Sequence, residues 1–266
     1  MQPTSWACEA VGRSGVFETL RTYHGTVYAL EAHLERLLQS ARTLGLVLPK
    51  PRRVMAQAVQ RMGRACAPND AVIRAAIVPG VRGRSRLIVM AIRLAPYPLS
   101  WYTRGVAAVT AVTRRGSPGA VPPQAKHADL LPGIMARLEG VGHVVELLYR
   151  TDEGWIAEGT VSNLCIVTTD RRLASPPPAH GALAGVTCQA IFRFAAQLGL
   201  RTAWTPLTRH DIWNAAEVFV TNTTLEVLPV VRYDGRVIGA GRPGPWTRTL
   251  HQALRSSVRE KVLPCA

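Results

Sequence analysis

The spacing of apolar and polar residues near the start of the chain predicts a β-hairpin followed by a helix. Residues 15–23 and 26–30 are two β-rich runs, and the dipeptide His24-Gly25 between them is typical of a tight turn. Residues 31–44 then place apolar side chains along one stripe at helical spacing, and Gly45 provides a stop. We therefore expect a hairpin that leads directly into an amphipathic helix.

The rest of the first half predicts another helix and three strands. Pro51 can open a helix that runs to about Arg64, because proline is favoured in a first turn. Strand-like runs follow at residues 71–78, 86–94 and 106–112. Residues 113–125 turn to Gly, Pro and Ser without an apolar period, so this stretch is the best candidate for a domain boundary.

The second half mixes helices and strands. An apolar helix is predicted just after Lys126, and Asp234-Gly235 predicts a hairpin turn. Other helices are expected at residues 185–198 and 208–214, and strands at 144–149, 161–168, 217–221 and 227–231. The pattern favours an α+β fold with a small N-terminal α/β domain at residues 1–115, an interdomain linker at 116–125 and a larger C-terminal domain at 126–266.

The composition is that of an ordinary globular protein. Apolar residues make up 47% of the 266 and charged residues 18%, and the longest apolar runs are too short to span a bilayer. The N-terminal residues show no secretory signal. The five cysteines lack Cys-x-x-Cys spacing, which argues against a disulfide framework or a zinc site and favours a reducing compartment. We expect a cytoplasmic protein with no membrane partner.

The formal charge of +15 raises the possibility of nucleic-acid binding. The arginines, however, are spread along the whole chain, and the clearest clusters are Arg82-Gly83-Arg84-Ser85-Arg86 and Arg114-Arg115. Neither cluster is interleaved with aromatic residues that could stack on bases. No specific nucleic-acid partner is predicted, and a non-catalytic polyanion-binding protein stays as an alternative function.

Lysine is scarce in this chain, and one lysine stands out by its position. Only three of the 32 basic residues are lysines, namely Lys50, Lys126 and Lys261. An amine that attacks a carbonyl must lose its proton, and a guanidinium cannot form a Schiff base. Lys50 lies in a Pro-Lys-Pro turn and Lys261 near the C-terminus, whereas Lys126 precedes an apolar helix. Lys126 is a candidate nucleophile, with a solvated loop lysine as the alternative.

Several common catalytic motifs are missing. The sequence has no Gly-x-Gly-x-x-Gly after a strand, no P-loop, no His-Glu-x-x-His and no Gly-x-Ser-x-Gly, and its seven histidines show no metal-ligand spacing. What remains are groups suited to a phosphorylated ligand. Gly185-Val186-Thr187 opens a helix, where free amides bind phosphate, while Thr223-Thr224 and Arg36 offer further donors. Each is more often structural alone, but together with Lys126 and Glu158 they indicate a site for a phosphorylated, carbonyl-bearing cofactor.

In this combination the sequence resembles the class IV, or fold-type IV, aminotransferases. The group uses pyridoxal 5′-phosphate and includes branched-chain aminotransferases, D-amino acid aminotransferases and aminodeoxychorismate lyases. The resemblance runs from Gly15 to about Leu250 and rests on Gly15-Val16-Phe17-Glu18-Thr19, His33-x-x-Arg36-Leu37-x-x-Ser40-Ala41, Lys126, Glu158-Gly159-x-x-Ser162-Asn163, Leu183-x-Gly185-Val186-Thr187, Glu217-Val218-Phe219, Thr221-x-Thr223-Thr224-x-Glu226-Val227-x-Pro229-Val230 and Gly244-Pro245-x-Thr247.

The resemblance implies a role for each matching residue. Lys126 would be the catalytic residue that forms a Schiff base with the cofactor and carries the proton, and Glu158 would face the pyridine nitrogen. Leu183 would pack beneath the ring and Phe17 would line the substrate pocket. Phosphate contacts would come from Arg36, Val186, Thr187, Thr223 and Thr224. The resemblance also implies that the cofactor lies in the cleft between two domains, as in D-amino acid aminotransferases, and that the chain forms a homodimer acting on amino acids and 2-oxo acids.

Some positions depart from the family pattern. Cys188 replaces the arginine that usually follows Gly-Ile-Thr, Asp129 stands where asparagine is common, and Leu131 replaces a tyrosine of branched-chain enzymes. The Arg-x-His carboxylate trap of D-amino acid enzymes has no counterpart. The run Thr221-Asn222-Thr223-Thr224 is closer to the transaminases than to the lyases. We expect an aminotransferase of the branched-chain or D-amino acid type, with an aminodeoxychorismate lyase-type enzyme as the alternative.

Overall fold

The computed structural model describes residues 15–115, 124–127, 134, 138 and 144–262. These residues form two compact units. The first contains residues 15–95, 125–127 and 258–262, and the second contains residues 96–115, 124, 134, 138 and 144–257. No helix in the described ranges is long and apolar enough to cross a membrane.

The first unit has a four-stranded antiparallel sheet in the order β2-β1-β3-β4. Its strands are β1 (Val16–Tyr23), β2 (Thr26–Val27), β3 (Ala71–Pro79) and β4 (Ser85–Arg93). His24 and Gly25, with φ values of 48° and 83°, form the turn between β1 and β2. A two-residue turn with positive φ at both positions matches the twist of the flanking strands. The predicted hairpin is confirmed.

Two helices complete the first unit, α1 (Leu30–Thr43) and α2 (Arg52–Ala65). The apolar stripe of α1 packs with β1 and β3 in a core that contains Leu20, Leu34, Leu37, Ile73 and Ile77. Both helices were predicted to within about one residue at each end, the usual scatter of helix bounds. Pro51 lies at the N-cap of α2, one position before the first turn, where the sequence placed it inside the helix.

The second unit is built on a nine-stranded mixed sheet. The order is β10-β9-β8-β11-β12-β5-β6-β7, and β13 pairs with β12. Its strands are β5 (Val106–Thr110), β6 (Val144–Arg150), β7 (Ile156–Gly159), β8 (Asn163–Val167), β9 (Arg172–Ser175), β10 (Arg201–Trp204), β11 (Glu217–Asn222), β12 (Glu226–Tyr233) and β13 (Arg236–Val237). Both faces of the central strands β8 and β11 are buried, so their residues are mostly apolar without alternation.

Four helices belong mainly to the second unit. They are α3 (Leu99–Arg104), α4 (Val186–Gln197), α5 (Arg209–Trp213) and α6 (Pro245–Val262). Thr208 caps α5 in a capping box with Asp211, as the predicted N-cap role requires. The carboxylate of Glu217 accepts hydrogen bonds from the amides of Trp246 and Thr247 at the start of α6, at 2.9 and 2.7 Å.

Five elements were not predicted: α3, α6, β7, β9 and β10. Strand β7 is buried at all four positions and short, so it shows no alternation in the sequence. The strand predicted at residues 161–168 begins only at Asn163, because Gly159 and Ser162 close a turn whose amide-to-carbonyl distance is 2.7 Å. The apolar helix predicted after Lys126 lies almost entirely outside the described residues.

The two units differ in their bounds from the predicted domains. Strand β5 belongs to the second unit, because it pairs in parallel with both β6 and β12. Residues 125–127 belong to the first unit, because Val16 and His127 form an antiparallel bridge. The chain therefore passes from the first unit to the second near residue 95, and residues 125–127 belong to the first unit again. Glycine and proline content alone did not reveal this.

Candidate active site

A group of residues around Lys126 in the first unit is called here the lysine cluster: Phe17, Glu18, His33, Arg36 and Lys126. The backbone of Lys126 is fixed on two sides. Its carbonyl accepts a hydrogen bond from the Phe17 amide at 3.0 Å, and its amide donates to Ser40 Oγ at 3.0 Å. Its Nζ lies 5.0 Å from the centroid of the Phe17 ring. Lys126 is thus held between β1 and α1 in a part-buried position, which does not fit a solvated loop lysine.

Glu18 is the buried centre of the lysine cluster. Arg36 donates from Nε to Oε1 at 2.6 Å and from Nη2 to Oε2 at 2.8 Å, and His33 Nδ1 lies 2.8 Å from Oε2. Burial alone would raise the pKa of Glu18. The charge and hydrogen bonds of Arg36, with the hydrogen bond of His33, outweigh burial and lower the pKa to about 2.

The local sequence explains how this ion pair forms. His33 and Arg36 are three residues apart on α1 and therefore lie on the same helix face. Burial is the largest cause that lowers the pKa of His33, and the positive charges of Arg36 and Lys126 add to it against the opposing effect of Glu18. His33 is therefore a neutral hydrogen-bonding partner. Arg36 is buried and ion-paired, so it is not a solvated helix arginine.

Phe17 lies in an apolar patch of the first unit. Its ring packs with Ala76 and Val78, and Ile88 and Met90 lie against this group. The guanidinium carbon of Arg74 lies 4.7 Å from the ring centroid. Arg74 and Lys126 therefore both make cation–π contacts with the Phe17 ring, whose negative face attracts positive charge.

The second unit contains the carboxylate cluster, defined here as Arg115, Glu158, Asn163 and Leu183. Arg115 Nη2 lies 2.9 Å from Glu158 Oε1. The other oxygen, Oε2, accepts from the Leu183 amide at 2.8 Å and from Asn163 Nδ2 at 3.3 Å. Asn163 Nδ2 also donates to the Leu183 carbonyl at 2.7 Å. Glu158 and Leu183, both predicted site residues, are thus joined by a hydrogen bond.

A second buried carboxylate holds the turn that follows Glu158. Glu146 Oε1 accepts from the Thr160 amide at 2.9 Å and from its hydroxyl at 2.6 Å, and Oε2 accepts from Ser162 Oγ at 2.6 Å. Gly159 has no room for a side chain, because a Cβ there would meet Ser162 Oγ and the Glu146 carboxylate. These contacts explain why Gly159 and Ser162 occur at fixed offsets from Glu158.

The N-terminus of α4 lies directly after the carboxylate cluster in the sequence. Val186 and Thr187 form its first turn, and no side chain caps it. The first amides of a helix have no partner within the helix and so attract anions. Gly185 is required at the N-cap, because a Cβ there would collide with Asn163 Oδ1. The predicted phosphate-binding groups Val186 and Thr187 are therefore available at an open helix end.

The residue after Thr187 is bonded differently from what the family pattern suggests. Cys188 is fully buried, and its Sγ lies 3.6 Å from Cys165 Sγ on β8. Burial and the neighbouring thiol raise the pKa of Cys165 well above its ordinary value. Cys165 is therefore a neutral packing group, and Cys188 packs against it where an arginine would supply a positive charge.

The two predicted threonines between β11 and β12 have different surroundings. The Thr224 amide donates to Asn222 Oδ1 at 2.9 Å, and its hydroxyl lies 2.9 Å from the Tyr97 hydroxyl. Within the described part of the chain, the structure shows no hydrogen bond for Thr223. Thr224 is thus already engaged by protein groups, whereas Thr223 retains its donors.

One buried hydroxyl in the second unit lacks a partner among the described residues. It is Thr221 Oγ1 on β11, which is inaccessible to solvent. Thr221 stands opposite Asn163 in the β8–β11 pairing, so the two side chains lie on the same face of the sheet. A buried polar atom without a partner is costly unless a ligand or water satisfies it.

The available groups fit a phosphorylated pyridine cofactor. The second unit offers an ionisable carboxylate in Glu158, open amides at α4, and the hydroxyls of Thr221 and Thr223, which lack partners in the described ranges. The first unit offers the primary amine of Lys126, which lies over the Phe17 ring. Sequence reasoning assigned no role to Arg115, Glu18, His33 or Tyr97. The place of Glu18 and His33 in the motifs that carry the family resemblance was a visible signal, whereas the pairing of Arg115 with Glu158 has no sequence signal.

Comparison with known proteins identifies the relationship. Residues 15–233 match the family model described as amino-transferase class IV. D-alanine aminotransferase of Bacillus licheniformis is 27% identical over 92% of this chain and 87% of its own length. The branched-chain aminotransferase of Thermoproteus uzoniensis, solved with norvaline, is 30% identical with a TM-score of 0.84 over 94% of this chain and 88% of that one.

A further solved structure connects the fold with the cofactor. The branched-chain amino acid aminotransferase of T.th., solved with pyridoxamine 5′-phosphate, is 26% identical to this chain. The TM-score is 0.88, and the match covers 97% of this chain and 89% of that one. The two-unit α+β fold and the residues described above agree with this relationship. The chain belongs to the class IV aminotransferases, enzymes that use pyridoxal 5′-phosphate.

Proposed function

We propose that this aminotransferase moves an amino group between an amino acid with an apolar, branched side chain and a 2-oxo acid, with Lys126 as its catalytic residue. The observation that carries the proposal is the placement of Lys126 Nζ, 5.0 Å from the Phe17 ring. Branched-chain aminotransferases among the similar structures support the substrate class.

The chemistry divides between the cofactor and the chain. Pyridoxal phosphate, when bound, supplies an electron-withdrawing ring that stabilises negative charge at the substrate α-carbon. Lys126 Nζ would hold the cofactor covalently until the substrate amine displaces it, and the freed amine would then carry the proton from the substrate α-carbon to the cofactor. An amine serves in both roles because it alternates between neutral and protonated forms, which guanidinium cannot do.

Glu158 keeps the ring nitrogen protonated in this proposal. A carboxylate does so best when it is itself ionised, and the Arg115 guanidinium at 2.9 Å favours the ionised form. The backbone amide of Leu183 donates a hydrogen bond to Glu158 Oε2, and we expect the Leu183 side chain to pack beneath the ring.

Phosphate binding is assigned to the open amides and hydroxyls and to Arg36. Val186 and Thr187 contribute from the uncapped start of α4, and Thr223 contributes donors that have no partner in the described part of the chain. Thr224 contributes less, because Asn222 and Tyr97 already engage its amide and hydroxyl. Arg36 is fixed in orientation by two hydrogen bonds to Glu18, which lowers the entropic cost of binding an anion.

The substrate side chain is expected to lie against Phe17. Apart from the cations of Arg74 and Lys126, the ring packs against the apolar side chains Ala76, Val78, Ile88 and Met90. Such a surface favours a branched aliphatic side chain over a polar one by burial of apolar area. It does not determine the handedness of the α-carbon, so L- and D-amino acids are compared in the experiment.

The test is product analysis with the purified, cofactor-loaded protein. L-leucine, L-valine, D-alanine and aminodeoxychorismate are each incubated with 2-oxoglutarate, and products are separated by chromatography. We expect branched 2-oxo acids and glutamate. Turnover of D-alanine alone would transfer the assignment to the D-amino acid type, and pyruvate from aminodeoxychorismate would support the lyase alternative. A protein that binds polyanions but converts none of these substrates would contradict the proposal.

Assembly and location are also proposals. We expect a cytoplasmic homodimer, because the cysteine pattern favours a reducing compartment and the family resemblance implies a dimer. Sedimentation equilibrium over a range of concentrations tests the dimer. A monomeric mass with full activity would contradict it.

A further inference from the structure

Arg115 connects two separate parts of the second unit. Its Nη2 lies 2.9 Å from Glu158 Oε1, and its Nε donates to the Gly181 carbonyl at 3.0 Å. The guanidinium carbon also lies 5.7 Å from the centroid of the Tyr149 ring. Gly181 has a φ of 93°, and a Cβ there would come within 3.2 Å of Arg115 Cγ. The arginine therefore occupies a fitted position between a ring and a glycine backbone.

The neighbouring arginine has a different environment. Arg114 Nη1 donates to the Thr151 carbonyl at 3.0 Å, and its Nε lies 3.8 Å from Asp152 Oδ1. Its side chain is 44% exposed, compared with 24% for Arg115. Two adjacent arginines of the same charge thus differ in whether they reach Glu158. This contrast makes Arg114 a matched control.

We propose that Arg115 is a positioning residue for transamination, acting through Glu158. This inference rests on the proposed role of Glu158 at the pyridine nitrogen. An opposite charge in contact with a carboxylate stabilises its ionised form. The Arg115 charge favours the ionised Glu158 carboxylate, which would leave a shared proton on the ring nitrogen of a bound cofactor. Without Arg115 the Glu158 carboxylate would compete for that proton, and the cofactor would be a weaker electron sink.

Arg115 also fixes the geometry of the adjacent loop. Gly181 and Leu183 belong to the segment that leads into α4, and the Leu183 amide binds the second oxygen of Glu158. Arg115 therefore holds the carboxylate through Oε1 and the loop through the Gly181 carbonyl. A lysine at this position keeps one charge but lacks the planar fork that reaches both acceptors.

Three variants separate these effects. Arg115→Met removes both the charge and the planar guanidinium, and Arg115→Lys keeps the charge alone. Arg114→Met removes a positive charge from the adjacent residue. We expect Arg115→Met to lower kcat on the order of ten- to hundred-fold, because loss of a neighbouring opposite charge moves a carboxylate pKa by about one to three units. Cofactor affinity should change much less. Added to Glu158→Gln, Arg115→Met should have little further effect, since both act through one carboxylate.

The decisive readout is ¹⁵N NMR of the protein loaded with cofactor labelled at the pyridine nitrogen. The wild-type signal should be that of a protonated pyridine, and Arg114→Met should leave it unchanged. Arg115→Met should move it toward the unprotonated position, with Arg115→Lys between the two. Circular dichroism confirms that each variant folds. If Arg115→Met does not fold, the comparison of Arg115→Lys with wild type decides.

The outcomes distinguish this inference from the proposed function. A wild-type protein that binds no labelled cofactor would contradict the proposed function itself. A protonated wild-type signal that stays unchanged in Arg115→Met, or in Arg115→Lys where the methionine variant is unfolded, would overturn the role of Arg115 and leave the function standing. An equal shift in Arg114→Met would show a general effect of charge and would also overturn it.

Discussion

Two carboxylates in this chain are each bonded to an arginine, and their surroundings differ. Glu18 is 1% exposed, and its oxygens are taken by two nitrogens of Arg36 and by His33. Glu158 is 7% exposed and is bonded by Arg115 through one oxygen and by the Leu183 amide through the other. Residue type and partner are alike, so the environment must decide the role of each.

The difference lies in where the partners come from. Glu18 is bonded by side chains of one helix, α1, which seals it inside the first unit. Glu158 is bonded from the segment after β5, from β8 and from the loop before α4, so several chain segments converge on it. The same unit holds an open helix end and a buried hydroxyl that has no partner among the described residues. Glu18 therefore fits a structural role in which it orients Arg36, and we propose that Glu158 faces the ligand.

The largest expected effect is on the lysine that lies beside the sealed carboxylate. Lys126→Arg keeps the positive charge but removes the amine that we propose attaches the cofactor and carries the proton. We expect no covalently held cofactor and no detectable turnover, with an unfolding transition close to that of wild type. Activity assays and thermal unfolding of the same preparation check this. Retained turnover would show that Lys126 is only a structural cation.

Breaking the sealed pair should cost stability. Arg36→Ala leaves Glu18 as a buried charge without its main partner, and breaking a buried pair in this way costs about 3–5 kcal/mol. The dissociation constant of the cofactor should also rise by about ten- to hundred-fold, because one charged hydrogen bond is lost. Denaturant unfolding and equilibrium dialysis measure the two effects.

Arg42 in the last turn of the same helix is the control for Arg36. It is exposed, so Arg42→Ala should change stability by no more than about 0.5 kcal/mol. If Arg36→Ala is as stable as Arg42→Ala, the Glu18 ion pair is not a structural element. If Arg36→Ala is less stable than Arg42→Ala but the two variants bind the cofactor equally well, the phosphate is bound without Arg36.

Neutralising Glu158 should mainly affect turnover. Glu158→Gln keeps the shape of the side chain but removes the charge that we propose holds the ring nitrogen protonated. We expect turnover to fall on the order of 10²-fold or more with a small change in substrate binding. Steady-state kinetics measure kcat and KM separately. Activity within a few-fold of wild type would place Glu158 with Glu18 among the structural carboxylates.

The smallest expected effect is the loss of stability in acid, as the buried Glu18 carboxylate becomes protonated. The pKa of Glu18 is lowered from 4.5 to about 2, so its contribution to stability is complete above pH 4.5 and is lost as the pH falls toward 2. The lowered pKa of His33 acts in the same direction, because charging it favours the unfolded chain. The contribution of Glu18 is on the order of 3 kcal/mol.

Glu18→Gln is the reference for that acid dependence. The free energy of unfolding of wild type and variant is measured at several pH values between 2.5 and 7, a range chosen around the pKa of about 2 and the ordinary value of 4.5. The two curves should approach each other as the pH falls. Curves that stay parallel throughout would show that Glu18 does not titrate with folding.

The sequence predicted the local elements with clear periodicity. The β1–β2 turn and helix α1 were predictable because His24-Gly25 and a regular apolar stripe are local signals. Several of the predicted site residues lie in short motifs around Glu158 and Gly185, where close packing at Gly159 and Gly185 leaves no room for other side chains.

Pairings between distant segments could not be predicted. Strands β9 and β10 are short and pair in parallel across a helix, and neither alternates in polarity. The contacts of Arg36 with Glu18 and of Arg115 with Glu158 depend on the folded geometry, and in a chain with so many arginines no single one is marked by composition. The assignment of β5 to the second unit likewise depends on its parallel partners.

The central claim is that Lys126 is the residue that carries the cofactor. The most direct test is borohydride reduction of the wild-type protein loaded with pyridoxal phosphate, followed by peptide mapping with mass spectrometry. Reduction fixes the link between lysine and cofactor, so the modified residue is read directly. We predict one phosphopyridoxyl adduct, on Lys126. An adduct on Lys50 or Lys261 in its place, or no adduct at all, would contradict the account.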